Sequence, residues 1–299
     1  MEPHTTNRWL LPVLFVGVFM VILDVFIVMV AAPSISTDLH ASSSDIQWVV
    51  PAYLLAYAMA LITGGRLGDI AGRRRLFRAG LVVFTTASAL CAAAPTPTTL
   101  IAARVVQALG SAAMWPQVLS IIQVEFAPAR RPRAFALLGV VQGAASIAGQ
   151  IVGGGLISLD LLHLGWRWVF LVNVPVGLAA MIASGRVVPE SRSPGARRLD
   201  VPGVALATLT LALLMFPIVE GRDLGWPWWA GALLVATVPA GAAFLAWERR
   251  VVAAGRSPLI ALRVFGERGF RIGVAGPSPC SSSHRSSCSS ASTCRTAAA

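Results

Sequence analysis

Eight apolar runs follow one another along this chain, at residues 10–32, 46–65, 77–94, 98–123, 134–158, 168–185, 201–219 and 228–247. Most reach the ~20 residues that cross a bilayer core. Inside lipid there is no water to satisfy backbone N–H and C=O groups, so each run is constrained to be helical. Composition agrees. Only 12% of residues are charged and the mean hydropathy is +0.72, whereas a soluble domain uses about 25% charged residues. The expected fold class is an all-α membrane protein whose main partner is the lipid bilayer.

Arginines alternate between the connections. Arg8 precedes the first run, and the next connection has none. Arg66, Arg73, Arg74, Arg75 and Arg78 follow the second run; Arg130, Arg131 and Arg133 follow the fourth; Arg186, Arg192, Arg197 and Arg198 follow the sixth. The intervening connections carry none, or only Arg167 or Arg222. Arginine-rich connections stay in the cytoplasm, which predicts a multi-pass protein of the inner (plasma) membrane with a cytoplasmic N-terminus. The net charge of +11 does not point to nucleic acid, because the arginines sit in short blocks rather than on one polar face. Trp226, Trp228, Trp229 and Trp247 fall near predicted helix ends and read as interfacial anchors. The apolar run after Arg8 is longer than the h-region of a cleavable signal.

The most distinctive motif is an arginine-dense turn between the second and third runs, Gly65-Arg66-Leu67-Gly68-Asp69-Ile70-Ala71-Gly72-Arg73-Arg74-Arg75-Leu76-Phe77. Glycines let two helix ends approach closely, and Asp69 can cap a helix or pair with an arginine. This pattern resembles the loop between helices 2 and 3 of major facilitator superfamily transporters. Further stretches resemble the fourteen-helix drug/proton antiporter branch. Leu23-Asp24 through Pro33 resembles its helix 1 signature, with Phe26, Met29 and Ala32 as departures. Arg104-Val105-Val106-Gln107-Ala108 resembles the R-x-x-Q-G of helix 4, and Gly149-Gln150-Ile151-Val152-Gly153-Gly154 the G-P-x-x-G-G of helix 5, with Gln150 in place of proline. Trp166 through Gly177 resembles the approach to helix 6, and Leu199-Asp200-Val201-Pro202-Gly203 the approach to helix 7.

Asp24 is the one acid inside the first six apolar runs. A charged carboxylate at mid-bilayer costs about 2.5–3.5 kcal/mol on insertion scales, which makes a functional role the default. The other reading is a neutral carboxyl bonded to a neighbouring helix. Burial disfavours the charged form and a nearby cation restores it, which is the physics of exchanging a proton for a cation. Arg104 is the natural partner. Asp24 lies ~13 Å from the outer end of its run, with Arg104 ~9 Å and Gln107 ~13 Å deep on theirs, at ~1.5 Å per residue. Arg104, Gln107, Ala108 and Ser111 share one face; the alternative is that Arg104 snorkels to the outer surface. The resemblance ties Asp24 to proton coupling. Tyr53, Tyr57, Gln107, Met114, Gln117, Gln142 and Gln150 are candidates to line a substrate pathway, although Tyr and Met in apolar helices also serve packing. Gly65, Asp69, Gly72, Arg73, Arg74, Gly149, Gly153 and Gly154 form the candidate structural and gating motifs. Small residues four apart, such as Ala145, Gly149 and Gly153, permit close helix contact.

No Walker A lysine, paired catalytic groups or metal-ligand spacing are legible, so neither an enzyme nor a metal site is expected. No cofactor is expected beyond the proton gradient as energy source. The resemblance implies efflux of cationic or amphipathic drug-like molecules. Four segments are expected: a six-helix bundle at 1–190, a linker with two more helices at 191–250, a cytoplasmic connection at 251–276, and a Ser/Cys-rich tail at 277–299. The resemblance calls for a ninth apolar helix where that tail begins. Moving the reading frame back one base turns 277–292 into an apolar run, so a frameshift and a missing C-terminal half are expected, with this product inactive alone. The alternative is an interaction module or half-transporter that pairs with another subunit.

Overall fold

A computed structural model describes residues 7–159, 163–193, 200–221 and 224–254. The expected segments at 251–276 and 277–299 therefore lie outside the described residues from 255 onward, as do 194–199 and 222–223 of the linker. Eight helices among the described residues are long and apolar enough to cross a membrane. They are α1 (Leu10–Asp38), α2 (Ser43–Ala71), α3 (Arg73–Ala92), α4 (Pro97–Glu125), α5 (Arg131–Leu159), α6 (Gly165–Val187), α7 (Val201–Gly221) and α8 (Trp228–Ala253).

Several helices outrun the apolar stretches that announced them. The reason is that a helix, once nucleated in lipid, can continue into water where hydropathy no longer marks it. α2 and α4 start at capping boxes, Ser42 with Asp45 and Thr96 with Thr99, in which side chains satisfy the first free N–H groups. α6 opens on a 3-10 turn, Gly165–Arg167, and its ladder is interrupted at Val172. Pro175, three residues on, has no N–H to give to the carbonyl of Leu171.

The expected turn at 65–77 is corrected most. α2 runs through Ala71 and α3 begins at Arg73, leaving Gly72 alone between them. Gly72 has φ 113°, a conformation that side-chain-bearing residues rarely adopt. Arg73 Nη2 donates to Asp69 Oδ1 at 2.9 Å across the junction.

The first six helices form a bundle in which α1 packs on α5, α2 on α4, α3 on α4, and α6 on both α1 and α3. α7 and α8 pair as a hairpin, and α7 leans on α2. Backbones come close where a side chain would not fit. A Cβ at Gly64 would stand 2.1 Å from the carbonyl oxygen of Ala112, and one at Gly149 2.9 Å from that of Leu23. Two apolar clusters fill the bundle. One gathers Leu14, Val18, Phe77, Leu81, Phe84, Met114 and Ile121. The other gathers Ile27, Val28, Ile35, Leu100, Trp166 and Phe170. Between them in sequence, on four helices, lie Asp24, Ser88, Arg104, Gln107 and Asn173, all buried and all polar.

Candidate functional site: a buried polar layer around Asp24

Asp24 and Arg104 are both completely buried. Arg104 Nη1 donates to Asp24 Oδ2 as an ion pair and to Gln107 Oε1 at 2.7 Å, while its Nε donates to the backbone carbonyl of Val49 at 3.3 Å. The other carboxylate oxygen, Asp24 Oδ1, accepts from the Gln107 amide at 2.8 Å and the Asn173 amide at 2.9 Å. Ser88 Oγ accepts from the same two amides, at 2.7 and 3.4 Å. One carboxylate on α1 is thus held by donors from α4 and α6, with α3 bridging them. This is the arrangement a buried charge requires, since an unpaired one costs several kcal/mol.

Aromatic rings complete the enclosure. The Arg104 guanidinium lies 4.2 Å from the centroid of Tyr53 and 5.9 Å from that of Phe170, distances at which the ring face attracts a cation. The Tyr53 hydroxyl hydrogen-bonds to Ser111 Oγ at 2.7 Å. Tyr57 stacks parallel to Tyr53 with centroids 6.4 Å apart and stays half-buried. Arg104 Nη2 has no hydrogen-bond partner although it is buried. The snorkelling alternative for Arg104 does not hold, because its side chain is wholly enclosed.

The other expected pathway residues are placed elsewhere. Met114 is buried against Gly17 and Gly80. Gln117 donates its amide to the carbonyl of Gly64 at 2.9 Å and ties α4 to α2. Gln142 is half-buried and Gln150 exposed, both on α5 and neither bonded to the Asp24 cluster. Gly149 and Gly153 pack closely on α1, at Leu23 and Ile27, while Gly154 has nothing within 4 Å of where its Cβ would stand.

A second charged cluster sits at the α2–α3 junction. Residues 190–193, following α6, cross it. The N–H of Arg73 donates to the carbonyl of Ser191 at 2.9 Å, and that of Ser193 to the carbonyl of Asp69 at 3.2 Å. Glu190 accepts from the Arg74 N–H at 3.2 Å and pairs with the side chains of Arg74 and Arg75 at 3.7 and 3.5 Å. A carboxylate at the start of α3 suits the positive end of its dipole. Gly65 rests on Pro116 of α4.

Sequence reasoning missed Asn173, Ser88 and Glu190 as partners. Asn173 carried a legible signal, a lone amide in an apolar run. Ser88 did not, since serine is common in membrane helices. Glu190 lies more than a hundred residues from the arginines it meets, a separation that no local pattern spans.

A family model described as the Major Facilitator Superfamily matches residues 14–268. The chain is 41% identical over 274 residues to a probable actinorhodin transporter of Streptomyces coelicolor, covering 91% of this chain and 47% of that protein. It is 38% identical over 256 residues to a tetracenomycin C resistance and export protein of Streptomyces glaucescens, covering 84% of this chain and 45% of that one. The chain thus spans about half the length of these relatives. Among solved structures, the peptide transporter POT aligns with TM-score 0.55 at 12% identity, covering 70% of this chain and 51% of its own. A bacterial homolog of the human lysosomal transporter Spinster aligns with TM-score 0.52 at 19% identity, covering 82% and 62%. These two likenesses concern the fold.

Proposed function

The chain belongs to the major facilitator superfamily, and on that premise we propose that it forms one wall of a proton-coupled exporter of drug-like, amphipathic or cationic molecules. The names of its relatives, a transporter of actinorhodin and an exporter of tetracenomycin C, support the substrate class. The observation that carries the coupling is the fully buried Asp24 carboxylate of α1, which meets one arginine and two amides from α4 and α6.

Arg104 donates to one oxygen of Asp24, and Gln107 and Asn173 donate to the other. A proton arriving from outside neutralises Asp24 and breaks the pair, leaving Arg104 to the Tyr53 and Phe170 rings it already faces. Loss of that proton to the cytoplasm restores the pair. Coupling arises if the two protonation states favour different openings of the bundle, because a ligand or proton shifts an equilibrium only by its differential affinity for the two states. Arg104 is the gate partner, Gln107 and Asn173 orient the carboxylate, and the Tyr53 ring keeps the arginine in place when the pair is broken. Efflux in this superfamily uses two six-helix halves that move about a midplane site; the bundle α1–α6 supplies one, and we propose that efflux requires the second. The membrane is the inner (plasma) membrane, with the N-terminus and the Gly72 junction on the cytoplasmic side.

The test is efflux of a fluorescent lipophilic cation from proteoliposomes that hold this chain together with a second six-helix half, with and without a proton gradient. Gradient-driven efflux is expected, and Asp24→Asn is expected to abolish its dependence on the gradient. Efflux of unchanged proton dependence in Asp24→Asn sinks the coupling role.

A further inference from the structure

Helices α1 and α6 are tied together at two carboxylates. At Asp24 the partner on α6 is Asn173. At Asp38, the last residue of α1, the partners are Trp166 and Arg167. The Trp166 indole N–H donates to Asp38 Oδ2 at 2.9 Å, and Arg167 Nη1 donates to the same oxygen at 2.6 Å. The Arg167 guanidinium also lies 4.6 Å from the centroid of the Trp166 ring, within cation–π range. The two donors sit in unlike surroundings. The side chains of Asp38 and Arg167 are 48% and 28% exposed, so their ion pair is screened and weak on its own. Trp166 is 1% exposed. A donor enclosed in this way has to find an acceptor within the protein, and Asp38 supplies it.

What Asp38 holds is a distinct piece of chain. Residues 165–171 are entered through His163 and Gly165, at φ 56° and 50°, and end at the interrupted ladder of Val172. Cut off in this way from the rest of α6, the segment takes its position from its contacts with α1, α3 and α5. Trp166 meets Phe170 edge to face, with centroids 6.0 Å apart and planes at 88°. Phe170 in turn faces Arg104, and Asn173 follows directly after the break. We propose that Asp38 is a positioning residue for the Asp24 layer. By fixing Trp166 it sets where 165–171 lies, and so presents Phe170 to Arg104 and Asn173 to Asp24. Cys91 of α3 is a built-in reporter of that closure. It is fully buried in the same apolar cluster as Trp166, Val169 and Phe170, and its thiol donates to Gln107 Oε1 of the layer at 3.7 Å. The assignment rests on the Asp24 layer being the functional site, but its test involves no transport, so it and the proton-coupling reading can fail separately.

The experiment alkylates the purified chain in detergent with N-ethylmaleimide and follows the peptide that carries Cys91 by mass spectrometry. Asp38→Leu removes the acceptor of a buried N–H together with the charge, and Cys91 is expected to react about tenfold faster than in the unaltered chain. Asp38→Asn still offers the indole an acceptor, and is expected to raise the rate by only about two- to threefold. Asp38→Glu, which keeps the carboxylate, is expected to stay near the unaltered rate. Arg167→Gln leaves Asp38 to Trp166 and should resemble Asp38→Asn, because the exposed pair contributes little. Backbone hydrogen exchange on the same samples is expected to quicken in 165–173 of Asp38→Leu while 73–84 of α3 stays as it was. Equal Cys91 rates in Asp38→Leu and the unaltered chain overturn the proposal. So does exchange that rises equally in both segments, which marks general unfolding rather than release of one piece. An Arg167→Gln rate as high as that of Asp38→Leu also overturns it, by placing the hold in the ion pair and not in the indole.

Discussion

Among the described residues, the arginine–carboxylate clusters at Asp24 and at the α2–α3 junction share one side-chain chemistry in opposite surroundings. Around Asp24 the ion pair is fully enclosed, and each carboxylate oxygen is bonded by side chains from other helices. At the α2–α3 junction, Arg74 and Arg75 reach Glu190 at longer range, with Arg75 two-thirds exposed. Screening by water makes the second kind of pair worth about 0–1 kcal/mol, whereas removing one partner of a buried pair costs about 3–5 kcal/mol. An exposed arginine at the junction, such as Arg75, gains little from its screened pairing. An arginine beside Asp24 works only through its exact partners.

Arg104→Leu tests this contrast most severely. It leaves a buried carboxylate without its cation and is expected to cost about 3–5 kcal/mol, read as loss of the monodisperse peak and a lowered Tm in detergent. The double variant Asp24→Leu with Arg104→Leu is expected to regain most of that stability, since replacing a whole buried pair by apolar groups is close to neutral. If it stays as damaged as the single variant, the pair is not the source of the loss. Asn173→Ala removes one donor from Asp24 and is expected to cost about 1–3 kcal/mol, seen in the same melts. Gly72→Ala meets both the φ of 113° and Glu190 Oε1, 2.5 Å from the new Cβ; a cost of about 1–3 kcal/mol is expected. Arg75→Ala should shift Tm least, and any shift should fade with added salt. A large, salt-insensitive effect of Arg75→Ala would erase the distinction between the two clusters.

Much of this was readable in the chain itself, for physical reasons. Membrane helices announce themselves because a bilayer admits so few solutions, and all eight were placed from hydropathy and arginine blocks. Asp24 and Arg104 could be matched because depth along a helix follows from residue number. What could not be read was depth-independent. Ser88 has no feature that separates it from other helical serines. The meeting of Glu190 with Arg74 and Arg75 depends on how the bundle closes. The length of the turn at Gly72 is not legible, because Arg66, Gly68 and Asp69 interrupt the apolar run as a loop would, yet they lie in α2.

With a single residue joining α2 to α3, the two helices share no slack, and twisting one about its axis must drag the other as a crank drags its shaft. The strand of chain at 190–193 laid across the joint then acts as a latch. Lengthening the joint by even one residue would uncouple the pair, so this corner of the protein is intolerant of insertion in a way that ordinary connections between helices are not.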